Sequence, residues 1–196
     1  MFADLLRQGL AGVVELSSGQ VDTLEGHYQL LLRWNRTLNL TSIKGMEEAV
    51  VRHYCESLFL GAHLPEGHLR IADIGSGAGF PGFPVAVLRP DCSVSLIESH
   101  QRKAVFLREA GRNLPNVRVL AKRAEDVKEQ FDWAISRAVS YADLGSYLKN
   151  LAPNVDLLTG GEVPPDGIGF VWQAPIPVAW SRQRFLRTGQ LERNGF

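Results

Sequence analysis

No apolar run in this sequence approaches the roughly 20 residues that a membrane-spanning helix needs. The opening stretch MFADLLRQGLAGVVELSSG also lacks the basic start and long apolar core of a secretory signal. The expectation is a cytoplasmic protein with no membrane partner. Cysteine is scarce: Cys55 and Cys92 stand far apart, with no CxxC and no paired Cys/His spacing, which excludes a disulfide framework and a zinc site. Both are expected to be buried thiols, and no metal is expected. Net charge is missing as well, since 21 Lys+Arg balance 21 Asp+Glu, and this excludes a wholly basic nucleic-acid coat or a charged disordered tail. What remains is 196 residues, 45% of them hydrophobic, enough for one domain with a sizeable core and at most an appendage.

The appendage is legible first. Up to about Gly67 the apolar residues recur at helical spacing, as in Leu24, Tyr28, Leu31 and Leu32, and a further helical segment starts near Met46 after Gly45 and stops at Gly61. After Gly67 strand alternates with helix: 69–74, Ser93 to Ile97, a helix from Arg102 to Arg112, Val117 to Leu120, and Trp133 to Ser136. This spacing predicts βαβ units and a mostly parallel, Rossmann-like α/β sheet. A helix from Ser146 to Leu151 and a strand near Val155–Leu158 continue it, and segments at 168–171 and 184–186 read as a terminal antiparallel hairpin. The division expected is a helical region over 1–67 and an α/β domain over 68–196.

Three alternating glycines, Gly75, Gly77 and Gly79, follow the first strand directly, then Phe80 and Pro81, with Pro81 read as the first turn of a helix. Such a loop lets the backbone come within van der Waals distance of a ligand. A nucleotide-like ligand at that helix start is the natural occupant. The same residues fit the dinucleotide fingerprint G-x-G-x-x-G, a weak signal on its own. Asp73 separates the two readings, because a carboxylate just before the glycines repels pyrophosphate and suits the cationic amino-acid end of S-adenosylmethionine. Its alternative is a carboxylate that caps the helix or braces the loop. Glu98, about 20 residues after the loop, stands where a ribose diol is bound through two hydroxyl groups, or else pairs with Arg102 on the surface. Ala124 and Glu125 lie in the loop after the third strand, where an adenine edge would face.

The strings WNRTLNLTSI at 34–43, RHYCESL at 52–58, GSGAGFPGFP at 75–84 and SRAV at 136–139 resemble the glucose-inhibited division protein B family of bacteria. The resemblance implies a class I methyltransferase fold and transfer of a methyl group from S-adenosylmethionine to N7 of a guanine in small-subunit ribosomal RNA. It further implies cofactor contacts at Gly75, Phe80, Ala124, Glu125 and Arg137, with Asp73 and Glu98 following the general methyltransferase pattern; Gly77 and Gly79 are cofactor candidates through the glycine loop itself. Two departures stand out. Glu56 occupies the place where the family usually has Asp, and the tail after Leu151 lacks the expected Lys-Gly strand end and a helix before the final hairpin.

Guanine N7 carries an in-plane lone pair and no proton at neutral pH, so methylating it needs no general base. No catalytic acid, base or nucleophile is therefore assigned, and His53, in an apolar helical segment, is read as a packing or hydrogen-bonding residue. Charge is distributed unevenly: 98–128 holds eight bases against four acids, whereas 1–66 holds five bases against eight acids. Arg102, Lys103 and Arg123 are accordingly candidate contacts to an RNA backbone, and Arg36 joins them if its loop folds toward the cofactor. The partner expected is small-subunit ribosomal RNA or the assembled subunit, met by a monomer. Three other readings stay open on the residues alone: a methyltransferase with a different RNA or small-molecule substrate, an NAD-dependent dehydrogenase, and a non-catalytic RNA-binding protein.

Overall fold

The computed structural model describes residues 1–137, 141–164 and 169–192, with residues 142–146 described by their backbone alone. The described strands form one sheet in the order β3-β2-β1-β4-β5-β8-β6, with β7 paired to β8. The strands β1 (Arg70–Ile74), β2 (Ser93–Ile97), β3 (Val117–Leu120), β4 (Trp133–Arg137) and β5 (Asn154–Thr159) run parallel. β8 (Phe185–Leu191) is antiparallel to β5 and to β6 (Phe170–Trp172), and β7 spans Ile176–Pro177. The expected mostly parallel sheet with a terminal antiparallel hairpin is thus present, and Ile168 of the predicted hairpin lies outside the described residues.

Chain order reverses between β1 and β4. Strands β1, β2 and β3 step outward in one direction and β4 returns beside β1, which makes the C-terminal ends of β1 and β4 the switch point where open α/β sheets bind their ligands.

Side chains alternate across the sheet. Ile71, Leu96 and Ile135 face a core shared with α1 (Phe2–Gly9), α2 (Ser18–Asn35), α4 (Glu56–His63), α5 (Gly82–Leu88) and α6 (Gln101–Gly111). Ala72, Ile97 and Ala134 face the other way, under Leu148 and Leu151 of α7 (Tyr141–Leu151). The N-terminal helices therefore pack directly on the sheet, with Phe2, Leu6, Leu24 and Tyr28 in the same cluster as Phe83 and Phe106. α2 starts at a complete capping box, Ser17 and Gln20 each accepting or donating across the first turn, a device worth about 1 kcal/mol.

Several boundaries differ from the sequence reading. α7 begins at Tyr141 rather than Ser146, passing through Gly145, and β8 extends to Leu191. The segment from Met46 is α3 (Met46–Ala49), a π-helical stretch Val50–Cys55 and α4, continuous to His63. Pro81 precedes α5 instead of occupying its first turn, and Pro84 takes that place. Cys55 and Cys92 are free, buried thiols, as expected. No helix among the described residues is long and apolar enough to cross a membrane.

Candidate functional site

The loop after β1 gives its glycines different tasks. Gly75, Gly77 and Gly79 all have positive φ, at 69°, 56° and 91°. A Cβ added at Gly77 would meet only the Gly75 carbonyl oxygen, at 3.7 Å, so the backbone is bare on that side. At Gly79 it would come within 3.2 Å of His27 Nε2 and Phe83 Cβ, and at Gly82 within 2.5 Å of both Asp73 Oδ2 and Leu96 Cδ2. Gly79 and Gly82 therefore serve close packing of the loop and α5 on the core, while Gly75 and Gly77 leave a surface open to a ligand.

That surface borders a cavity of about 410 Å³ beyond the ends of β1 to β3, lined by Gly75, Glu98, Lys122, Ala124, Glu125 and Tyr147 among others. Four of the predicted cofactor contacts, Gly75, Glu98, Ala124 and Glu125, thus converge there. Glu98 is buried, and its two oxygens accept from Gly77 N at 2.9 Å and His100 N at 2.7 Å; the alternative pairing with Arg102 is not made. Its carboxylate consequently fixes the loop and faces the cavity together.

Asp73 lies beneath the loop, fully buried. Oδ2 accepts the Gly82 N–H at 3.1 Å, which ties β1 to the start of α5, while Oδ1 is buried with no hydrogen-bond partner. Burial pushes its pKa up to about 7, against the opposing pull of the Ser76 hydroxyl, the Gly82 N–H and Arg137. The capping role weighed for Asp73 is therefore present in one oxygen, and the other is left over.

On the far side of the loop the remaining motif residues meet. Arg137, at the end of β4, donates from Nη2 to His53 Nδ1 at 2.7 Å and from Nη1 to the Arg52 carbonyl. Because guanidinium has no acceptor, Nδ1 must hold the lone pair, and Nε2–H donates to Thr41 Oγ1 at 2.8 Å. Burial, reinforced by Arg137 and Arg52, drives the His53 pKa down to about 3 and keeps the ring neutral. The ring stacks on Phe80 at 4.5 Å, and the Arg137 guanidinium carbon lies 5.4 Å from the Phe80 centroid. Phe80 is buried in this aromatic cluster and does not line the 410 Å³ cavity. Burial lowers Arg137 to about 10, so it stays a cation at neutral pH.

Of the candidate RNA contacts, Arg36 is exposed at the C-terminal cap of α2, Arg102 and Lys103 stand in the first turn of α6, and Arg123 borders the cavity, 3.6 Å from Glu125. The sequence gives no role to Thr41, whereas His53 is the hydrogen-bonding residue its segment suggests, tied to Arg137 and Thr41. His53 and Glu56, three residues apart, share a helix face. That shared face was the available signal that this segment points polar groups into the site.

Residues 20–158 match the family described as rRNA small subunit methyltransferase G. The chain belongs to that family. It is 42% identical over 149 residues to the ribosomal RNA small subunit methyltransferase G of Chromobacterium violaceum, covering 74% of this chain and 70% of that one. The corresponding protein of Halorhodospira halophila is 38% identical over 155 residues, covering 79% and 69%. Among solved structures the fold is similar to a SAM dependent methyltransferase from Aquifex aeolicus (TM-score 0.58, 15% identity, 74% of this chain and 93% of that one). It is also similar to a ribosomal protein L11 methylase from Lactobacillus delbrueckii subsp. bulgaricus (TM-score 0.56, 12% identity, 72% and 80%).

S-Adenosylmethionine is the methyl donor of this methyltransferase, and the residues present fit it. The donor brings a cation without phosphate, for which the unpartnered Asp73 Oδ1 is a matching charge, and it needs a bare backbone, which Gly77 provides. The family match ends at residue 158, so β6, β7 and β8 lie outside it.

Proposed function

We propose that the methyltransferase transfers a methyl group from S-adenosylmethionine to N7 of a guanine in small-subunit ribosomal RNA. The observation that carries this reading is the half-satisfied, buried Asp73 under an open glycine loop at the sheet's switch point. A carboxylate there opposes a pyrophosphate and favours a cationic ligand, which separates the site from that of a dinucleotide dehydrogenase.

When bound, the donor supplies an electrophilic methyl group on a sulfonium sulfur. Gly75, Gly77 and Gly79 shape the loop against it, Asp73 and Arg137 meet its charged amino-acid end, and Phe80 buttresses that side. Glu98 takes the ribose hydroxyls, while Ala124 and Glu125 face the adenine edge. Guanine N7 holds its own lone pair, so no side chain removes a proton. The work left to the protein is alignment, whose effective molarity lowers a barrier by about 7–11 kcal/mol. Neutral His53 keeps Arg137 in place, and neither exchanges a proton at neutral pH.

Arg36, Arg102, Lys103 and Arg123 meet phosphates of the RNA, which is taken either free or within the assembled subunit. The protein acts as a monomer in the cytoplasm, with 1–67 as a helical layer on the methyltransferase domain 68–196. Thermal denaturation with added ligands tests the donor: S-adenosylhomocysteine should raise Tm by mass action and NADH should not. Stabilisation by NADH alone would overturn the reading.

A further inference from the structure

A second cavity, of about 880 Å³, lies at the same edge of the sheet but on its β5–β8 side. Register places it: Thr159, the last residue of β5, pairs with Phe185, the first of β8, so Gly160 and the segment 182–185 sit beyond the C-terminal ends of the parallel strands. Four arginines, Arg52, Arg182, Arg184 and Arg187, line it together with Trp180 and Phe185. Its one carboxylate, Glu56, is buried and already committed to Arg184, accepting from Nε at 3.1 Å and Nη2 at 2.9 Å. Arg187 is also buried, bonded to the neutral Thr159 hydroxyl at 3.2 Å and lying over the Phe185 ring, and it makes no ion pair among the described residues. Arg182 is exposed, and Arg52 pairs with the exposed Glu48. A smaller cavity of about 280 Å³ shares Arg52 and Arg184 with this groove and ends at His53 and Arg137.

Four guanidinium groups, Arg182 and Arg187 among them without an ion pair among the described residues, beside partly exposed aromatic rings are the chemistry of a single-stranded nucleic-acid track, phosphates on the cations and bases on the rings. We propose that this groove is the path of the target RNA strand. Arg52, Arg182 and Arg187 take consecutive phosphates, Trp180 and Phe185 stack unpaired bases, and the smaller cavity leads the guanine toward the donor beside Arg137. Arg184 serves differently, holding the groove's floor to Glu56. This deepens the proposed function and rests on it, but Arg182, Arg184 and Arg187 lie beyond the residues that match the family. The track is thus supplied by the divergent C-terminal segment, and it flanks the donor site opposite Arg102, Lys103 and Arg123.

The test measures binding of in-vitro transcribed small-subunit ribosomal RNA against salt, together with methyl transfer by the wild-type protein. Each phosphate contact to a single strand contributes roughly 0.7 to the magnitude of the slope of log K on log salt. The double variant Arg52→Ala/Arg182→Ala should reduce that slope by about 1.4 with S-adenosylhomocysteine affinity unchanged. The charge-matched variant Arg112→Ala/Lys149→Ala, at the C-terminal ends of α6 and α7 on the opposite edge of the sheet, should leave it unchanged. A drop in the first variant no larger than in the second would overturn the track. Absence of methyl transfer by the wild type would instead count against the proposed function, so the two failures are distinguishable.

Discussion

The guanidinium of Arg137 donates to Nδ1 of His53 across 2.7 Å, joining the end of β4 to the π-helical stretch 84 residues earlier in the chain. The bond fixes the imidazole tautomer, and through it the cation beside Phe80 of the glycine loop. π-Helical turns are rare and concentrate at functional sites, and this one carries His53, Tyr54 and the Arg52 carbonyl that Arg137 also uses.

His53→Ala should therefore loosen Arg137. A hydrogen bond to a charged group contributes about 1.5–3 kcal/mol, so affinity for S-adenosylhomocysteine should fall roughly 10- to 100-fold. His53→Gln, whose amide oxygen can accept from the guanidinium, should recover part of the loss. Calorimetry on the two variants decides it, and equal losses would reduce His53 to a packing residue.

Asp73 should make stability depend on pH in a defined direction. Its folded pKa, about 7, lies above the ordinary value of 3.8, so between these values the native state keeps a proton that the unfolded state has lost. This contribution to stability is full below about pH 4 and declines as pH rises through about 7. Asp73→Asn carries no such proton. Its stability relative to wild type should climb by about 1.4 kcal/mol per pH unit inside that window and level off above it. Urea denaturation at pH 5, 6 and 8 checks the sign; a difference independent of pH would mean that Asp73 is ionised throughout.

The glycines should fail in two separate ways. Gly77→Val adds a branched side chain on the bare side of the loop at positive φ, so it should cost about 1–2 kcal/mol of stability and abolish donor binding in a folded protein. Gly82→Ala drives a methyl group to 2.5 Å from Asp73 Oδ2 and Leu96 Cδ2, overpacking that should cost about 1–3 kcal/mol. Circular dichroism melts and calorimetry together separate these outcomes, and normal donor binding by Gly77→Val would remove the loop from the site.

Arg184→Ala leaves Glu56 charged, buried and alone, a change expected to cost about 3–5 kcal/mol. Adding Glu56→Gln removes the stranded charge and should restore much of that. A double variant no more stable than the single one would show that Arg184 acts through packing.

The parts of this molecule legible in its sequence are those written in short-range chemistry. Strands β1 to β4 announce themselves through apolar runs, and the glycine loop through residues that only its backbone conformation explains; Gly75, Glu98, Ala124 and Glu125, each at or just after a strand end, line one cavity. Pairings between distant residues left no such trace. Nothing local to Arg137 names His53, and nothing local to Glu56 names Arg184. The start of α7 was misplaced because Gly145 reads as a helix break, yet packing of Leu148 and Leu151 under the sheet overrides that propensity. Nothing local to Phe80 marks it as the platform beneath His53 and Arg137.

The most direct measurement supplies methyl-labelled S-adenosylmethionine and this protein to small ribosomal subunits, and to their naked RNA, from cells lacking the enzyme, then maps the label. The account predicts label on N7 of one guanine, recognised by strand scission at the modified base, and none with the Gly77→Val variant. Label on another atom or in another molecule, or none in either RNA preparation, would contradict it.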